Sequence, residues 1–278
     1  MKLLRYGEPG KERPALLDAD GIIRDLSHVL PDLGPDTLGR STMDHLRSLD
    51  TATLPPVSAS ERIGPCVAGT RNIICVGLNY ADHAEEADTP LPKEPYLFLK
   101  SVHSIIGPND VVELPRGALK GDWEVELAII IGTKAKSVPL ESAIDHIAGY
   151  CIINDLSERT YQFEQGGDIA KGKSCDTFAP IGPWLVTPDE IPDVQDLAMT
   201  CVVSGETMQS SSTKAMVHGA LKLVSYISHY MTLMPGDIIA SGTPSGVGMI
   251  RGRFLRDGDE MILRVDRLGE QRQRVVAL

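Results

Sequence analysis

The chain has few cysteines, no excess of positive charge and no long apolar run, and each absence removes a class of function. Its five cysteines (Cys66, Cys75, Cys151, Cys175, Cys201) are odd in number, scattered and free of any C-x-x-C. That spacing argues against a disulfide framework or a thiolate zinc site and fits a reduced cytoplasm. Lys and Arg number 27 against 38 Asp and Glu, a net charge of -11, which argues against a nucleic-acid footprint or an anionic-membrane surface. A small anionic substrate would then need a metal or local Lys and Arg to reverse the field. No apolar stretch approaches the roughly 18 residues of a membrane span, and the start, MKLLRYGEPG, carries no signal-peptide apolar region. Internal repeats and low-complexity tracts are lacking too. What is present is 278 residues with 42% apolar content, enough for one large domain or a large domain plus a small one.

The stretch Asp122-Trp123-Glu124-Val125-Glu126-Leu127-Ala128-Ile129-Ile130-Ile131-Gly132 organises the rest. Its β-branched tail reads as a buried strand, and a strand sends residues i and i+2 to one face, so Glu124 and Glu126 point together. Paired carboxylates in an apolar setting need a proton or a cation, and a hard divalent ion such as Mg²⁺ is the economical answer. A half-exposed strand with an acidic outer face is the alternative. Upstream, Arg71 to Gly77 reads as a buried strand and Leu78 to Ala87 as a short helix. On that helix His83 and Glu86 sit at i and i+3, where a carboxylate can orient an imidazole as a general base; a solvated acidic helix with a chance histidine is the alternative.

Downstream, Tyr96 to Lys100 reads as a strand ending on a lysine, Val111 to Pro115 as an edge segment, Leu140 to His146 as a helix and Ala148 to Asn154 as a buried strand closed by Asp155. Leu156 to Phe163 reads as a helix with Arg159 and Gln162 on the side of Asp155. Asp155 is either that helix's N-cap or a third metal ligand. Gly167-Asp168-Ile169-Ala170-Lys171-Gly172-Lys173-Ser174 satisfies the P-loop pattern G-x-x-x-x-G-K-[ST]. The buried strand before it and the helix after it, which phosphate binding requires, are both missing, so the P-loop reading is set aside. Further on, Met199 to Ser204 begins a hairpin, and His218 to Met234 carries Leu221, Val224, Ile227 and Met231 at helical spacing. Ser241 to Gly248 is a glycine loop able to approach a ligand with its backbone N–H groups, or a plain hairpin connection. A last hairpin turns at Arg267 to Glu270. The first residues form a small β-rich unit with a turn at Asp18-Ala19-Asp20-Gly21, and the boundary to the main domain is placed near residue 70: a small N-terminal domain over 1–70 and a catalytic domain over 71–278, with the alternative that residues 1–70 are the first strands of one domain.

Taken in order, Val76-Gly77-Leu78-Asn79-Tyr80 with His83 and Glu86, Asp122-x-Glu124-x-Glu126-Leu127-Ala128, Asn154-Asp155 with Arg159 and Gln162, Gly172-Lys173-Ser174 with Asp176, and Ser241 to Gly248 resemble the fumarylacetoacetate hydrolase family. The resemblance implies a mixed, β-rich α+β fold, a distorted β-roll behind a small N-terminal β-rich domain, and a homodimer or dimer of dimers. It implies Mg²⁺, with Mn²⁺ as the alternative, on Glu124, Glu126 and Asp155. It implies His83, Glu86 and Lys173 as catalytic residues, the first two on a lid, and Arg159, Gln162, Gly242, Thr243 and Tyr80 as substrate-binding residues. In such a site a 2-keto acid chelates the ion, and a base such as His83 delivers water to the distal ketone of a 2,4-diketo acid, breaking C3–C4 and releasing pyruvate. The N-terminal run Met1 to Gly7, with Leu16 to Gly21 and Ile23 to Leu26, looks like the bacterial branch containing hydrolases of 2,4-diketo-3-deoxy sugar acids. The rhamnonate or fuconate derivative, cleaved to pyruvate and lactate, is therefore the expected substrate. Oxaloacetate decarboxylation, hydroxymuconate-type isomerisation and ureidoglycolate lyase activity are alternatives on the same metal. A non-catalytic small-acid binding protein is the alternative from another class.

Overall fold

A computed structural model describes residues 1–278. The apolar run Val125–Ile131 is fully buried because both of its faces are covered, which explains why it reads as continuous rather than alternating. It lies inside a ten-stranded mixed sheet. The order across the sheet is Ile23–Asp25, Arg13–Leu17, Lys2–Tyr6, Ala179–Val186, Ile147–Asn154, Val125–Ile131, Ile238–Ala240, Ile73–Gly77 and Tyr96–Lys100, with Ile105–Ile106 beside Ala179–Val186. A five-stranded sheet, Glu206–Ser212, Ala198–Val203, Glu260–Val265, Gly269–Ala277 and Val112–Leu114, makes a second layer. The fold is thus the mixed, β-rich α+β class expected, with several sheets and no closed barrel.

Alternate residues of the central strand divide between two cores. Val125, Leu127, Ile129 and Ile131 pack with Met199, Cys201, Val203, Met261, Leu263 and Val265 of the second sheet and with Leu223, Val224 and Ile227 of the helix Ala220–Tyr230. Ala128 and Ile130 face Leu3, Leu16, Leu26, Leu33, Leu38, Met43 and Leu46 of the N-terminal segment. The expected N-terminal hairpin is present, Ala15 opposite Asp25 and Leu17 opposite Ile23. Beside it the chain's first strand, Lys2–Tyr6, pairs with the main sheet, Lys2 opposite Val186 and Leu3 opposite Leu185, so the N-terminal strands extend the sheet that carries the acidic strand.

Three helix expectations need correction. Leu156 to Phe163 is not one helix: Ser157–Glu158 pairs with Gly121–Asp122, and a π-helical turn covers Thr160–Glu164. The cause is Glu158, fully buried, whose carboxylate accepts backbone N–H groups from Leu119, Lys120 and Tyr161 at 2.9, 2.6 and 2.7 Å. Those bonds reward an extended entry followed by a wide turn. Leu140–His146 is 3₁₀-helical rather than α-helical. The long helix spans Ala220–Tyr230, and His218 precedes it. No helix is long and apolar enough to cross a membrane.

Candidate functional site

Register builds the acidic centre. Asn154 lies opposite Val125 and Ile153 opposite Glu126, so the residue after Asn154 leaves the strand beside Glu124; the Asp155 N–H donates to the Glu124 carbonyl at 3.0 Å. Glu124 and Glu126 share a face as their spacing predicts, and one ligand atom from each of Glu124, Glu126 and Asp155 lies within 4.8 Å of the others. All three are buried.

Three buried cations answer these acids. The Lys173 ammonium donates to Glu124 Oε2 and Asp155 Oδ2, both at 2.6 Å. Lys100 donates to Asp155 Oδ1 at 2.6 Å and to the Leu156 carbonyl at 3.0 Å. Arg159 reaches Glu124 Oε1 at 2.6 Å, Asp122 Oδ2 at 2.8 Å and Gln162 Oε1 at 2.9 Å. Burial alone would raise the pKa of Glu124, but Lys173 and Arg159 outweigh it and hold the carboxyl at about 2. Glu126 has the opposite balance. Its one hydrogen-bond donor is the Gly242 N–H at 2.9 Å, and burial, Asp155 and Glu124 push its carboxyl well above the usual range.

Four carboxylates, Asp122, Glu124, Glu126 and Asp155, thus face three cations, Lys100, Arg159 and Lys173, and the charge left over rests on Glu126. Three buried carboxylates with this residual charge suit a hard, oxygen-seeking divalent cation, and each carboxylate oxygen keeps a second lone pair after accepting one bond. The acidic triad could therefore hold a divalent metal.

Lys100 and Asp122 are the two functional positions whose roles sequence reasoning did not assign. Asp122 follows the same i, i+2 rhythm as Glu124 and Glu126, which was the available signal. Its carboxylate accepts from Arg159 and from the backbone N–H groups of Trp123, Gly248 and Met249 at 2.8, 2.6 and 3.0 Å. It thereby ties Arg159 to the glycine loop. Lys100 was visible only as a lysine ending a strand; nothing local in sequence pairs it with Asp155, 55 residues on. A Lys100→Met variant strips a buried charge partner from Asp155 and should lose about 3 kcal/mol of stability, read from urea unfolding of the metal-free protein. A loss below about 1 kcal/mol, the range of an exposed pair, would contradict this.

Above the acids sits the short helix Ala81–Glu86. His83 Nδ1 lies 3.5 Å from Glu86 Oε2, and the Gly246 N–H donates to both Glu86 oxygens at 3.0 and 2.9 Å. Asp82, on the same helix, accepts the Ser211 hydroxyl at 2.6 Å and Ser245 Oγ at 3.4 Å. The glycine loop therefore holds the histidine helix through two acids. Gly246 must be glycine: its φ is +100°, and a Cβ there would lie 2.0 Å from the Met208 carbonyl oxygen. Gly242, at φ +96°, would place a Cβ 2.9 Å from the Val76 carbonyl oxygen and from Asn79 Cβ.

His83, Glu124, Glu126, Asp155, Arg159, Gln162, Lys173 and Thr243 all line one cavity of about 640 Å³. Two sequence assignments change. Gly242 stands behind Glu126, as its hydrogen-bond donor, and is not part of the cavity wall. Tyr80 is completely buried in the larger core with its hydroxyl directed to Met199 Sδ at 3.3 Å; it is a packing residue, because the turn at Leu78, φ +51°, sends it inward. Thr243 does line the cavity, but its hydroxyl donates to the Val125 carbonyl at 3.0 Å and accepts from Gln209 at 2.8 Å. The P-loop pattern occupies the helix Ile169–Lys173 and follows a π turn rather than a strand.

The chain is similar to known proteins over nearly its whole length. A protein of Burkholderia multivorans, named only as a hydrolase, is 52% identical over 276 residues, covering 98% of each chain. The solved fumarylacetoacetate hydrolase of Exiguobacterium antarcticum is 36% identical with a TM-score of 0.85, covering 100% of both chains. The maleylpyruvate hydrolase of Sphingobium sp. SYK-6, solved with manganese(II) ion and pyruvate, is 30% identical with a TM-score of 0.82, covering 100% of this chain and 99% of that one. Residues 72–276 match the profile described as fumarylacetoacetate (FAA) hydrolase C-terminal, and with the relative covering nearly the whole length, the chain belongs to the fumarylacetoacetate hydrolase family.

Proposed function

We propose that this protein is an acylpyruvate-type hydrolase, cleaving the C3–C4 bond of a 2,4-diketo acid to pyruvate and a second carboxylic acid. The observation that carries the reading is the junction of two devices in one cavity: a buried cluster of four carboxylates against three cations, three of those carboxylates able to hold a metal, and a histidine with a carboxylate of its own beside it. The first suits Mg²⁺ or Mn²⁺, and manganese together with pyruvate in the maleylpyruvate hydrolase relative supports that choice. Glu124, Glu126 and Asp155 would hold the ion, which when bound supplies Lewis-acid polarisation of the 2-keto acid.

The chain's own groups account for the remaining steps. Arg159 and Gln162 stand where a carboxylate entering the acidic centre would need donors. His83 takes a proton from water, and the resulting hydroxide adds to the C4 carbonyl. Collapse of that adduct breaks C3–C4; the acyl half leaves as a carboxylic acid and the electron pair stays on the pyruvyl half as an enolate. Lys173, held protonated by Asp155 and Glu124 against the cost of burial, meets that negative charge. The proton carried by His83 then returns to C3, giving pyruvate. This centre reads only the pyruvoyl half, so the lactyl end of a 2,4-diketo-3-deoxy sugar acid and a simple acyl end satisfy it equally.

The test is pyruvate release by protein loaded with Mg²⁺ or Mn²⁺ from acylpyruvates, 2,4-diketo-3-deoxy sugar acids and oxaloacetate, beside an EDTA-treated control. Metal-dependent release from the diketo acids is the expected result. Release from oxaloacetate alone would replace hydrolysis by decarboxylation.

A further inference from the structure

The cavity has two kinds of lining. Glu124, Glu126, Asp155, Arg159 and Lys173 are charged, and Phe98, Phe163, Ile169, Met249, Pro90 and Pro92 line it beside them. These residues are continuous with the reaction centre. The Phe98 ring lies 5.5 Å from Lys173 Nζ, Phe163 follows Gln162, Ile169 begins the helix that ends at Lys173, and the Met249 N–H is on Asp122. Phe163 is 55% exposed and Met249 37%, so part of this apolar lining is open.

Charge narrows the occupant further. The cations lining the cavity are Arg159 and Lys173, and both are held on the acids at its floor. Apart from these two, no Lys or Arg lines the cavity, and the polar side chains away from the acids' own contacts include Thr89, the Tyr96 hydroxyl and Glu94. A second carboxylate against the apolar lining would be desolvated without a partner and repelled by Glu94, whereas an alkyl or aryl group would cover apolar wall.

We infer that the acyl half of the substrate is apolar and uncharged, an alkanoyl or aroyl group, so that the enzyme discriminates against diketo acids ending in a second carboxylate. This inference rests on the acylpyruvate hydrolase reading for its catalytic meaning, but its binding content can be measured without turnover.

The first arm is calorimetric binding to the Mn²⁺-loaded protein of two uncleavable 2-oxo acids of equal chain length, 2-oxooctanoate and 2-oxooctanedioate. The methyl-ended acid should bind about tenfold tighter or more; equal binding, or preference for the diacid, overturns the inference. The second arm compares kcat/KM for hexanoylpyruvate and maleylpyruvate, with hexanoylpyruvate expected to lead and the reverse order counting against the inference. If neither is cleaved while the binding preference holds, the hydrolase reading fails and the apolar subsite stands. A Met249→Lys variant supplies the missing cation on a partly exposed position and should shrink the binding ratio by about tenfold; an unchanged ratio would show that this wall does not contact the acyl end.

Discussion

A Glu126→Gln variant should fold as well as the parent protein and lose about three orders of magnitude of metal-dependent turnover. The carboxylate's one donor, the Gly242 N–H, can be accepted equally by a glutamine oxygen, and the new amide N–H₂ lies beside the Glu124 and Asp155 carboxylates, which can accept from it. What disappears is a charge that the metal-free fold tolerates poorly. Burial, Asp155 and Glu124 raise the Glu126 carboxyl well above its ordinary range. A group with a raised pKa in the fold contributes stability at low pH that is lost as pH rises through the folded value. In EDTA, therefore, the parent should lose stability relative to the variant as pH rises above the ordinary glutamate range, and the two should converge below it. The contribution of Glu124 runs the other way, since a carboxyl held at about 2 stabilises above its ordinary pKa and ceases to as pH falls toward 2; it is common to both proteins and cancels in the comparison. Adding Mn²⁺ should lift the parent's melting temperature most at the higher pH and the variant's little. If thermal melts across pH give parallel curves for the two metal-free proteins, Glu126 does not carry the uncompensated charge.

The same charge logic explains how much of the site was legible. Period-two spacing placed Glu124 and Glu126 on one face, and the strand ending at Asn154 placed Asp155, because both signals live inside single extended segments where geometry follows sequence directly. Arg159 and Gln162 were brought to the site, but on a different backbone from the expected helix. Glu158 decides that backbone by binding N–H groups of Leu119 and Lys120, a contact between segments about 40 residues apart that no local propensity encodes. Lys100 escaped for the same reason: its partner, Asp155, follows a strand 55 residues away. Tyr80 was misplaced because Gly77 and Leu78 just before it do line the cavity, whereas Tyr80, beyond the positive φ at Leu78, is buried in the core. Asn79 fixes that turn, donating to the carbonyls of Ser241 and His218 and accepting the His218 N–H.

The fold was legible to a similar depth. The uninterrupted apolar runs announced buried strands, and the turn residues located three hairpins, the first in place at Asp18 to Gly21; Val203 pairs with Glu206 and Val265 with Gly269, so the other two turns fall slightly ahead of Gly205-Glu206 and Arg267 to Glu270, where they were expected. Strand order was not readable, because Lys2–Tyr6 joins Ala179–Val186 across about two thirds of the chain. That pairing is also why the N-terminal segment can cover the inner face at Ala128 and Ile130, the face from whose end Glu126 projects.

His83→Ala should lower turnover by about 10²- to 10⁴-fold while leaving metal affinity intact. Metal and base sit on different elements: Glu124, Glu126 and Asp155 come from two paired strands and their exits, while His83 stands on a six-residue helix held by the Gly246 N–H through Glu86. Removing the imidazole disturbs none of the carboxylate contacts, so Mn²⁺ titration by calorimetry should match the parent, as should binding of an uncleavable 2-oxo acid. Glu86→Gln should cost less than His83→Ala, because glutamine can still accept the Gly246 N–H and keep the helix in place; what it gives up is the charge that steadies the imidazole once it has taken a proton. Free imidazole added to the His83→Ala protein can enter the cavity and should restore part of the lost rate, which a variant damaged only in its fold would not show. If His83→Ala retains the parent's kcat, water activation does not pass through this histidine. If instead metal affinity falls with it, the helix and the acids act as one unit, and the two devices the cavity joins cannot be assigned separate tasks.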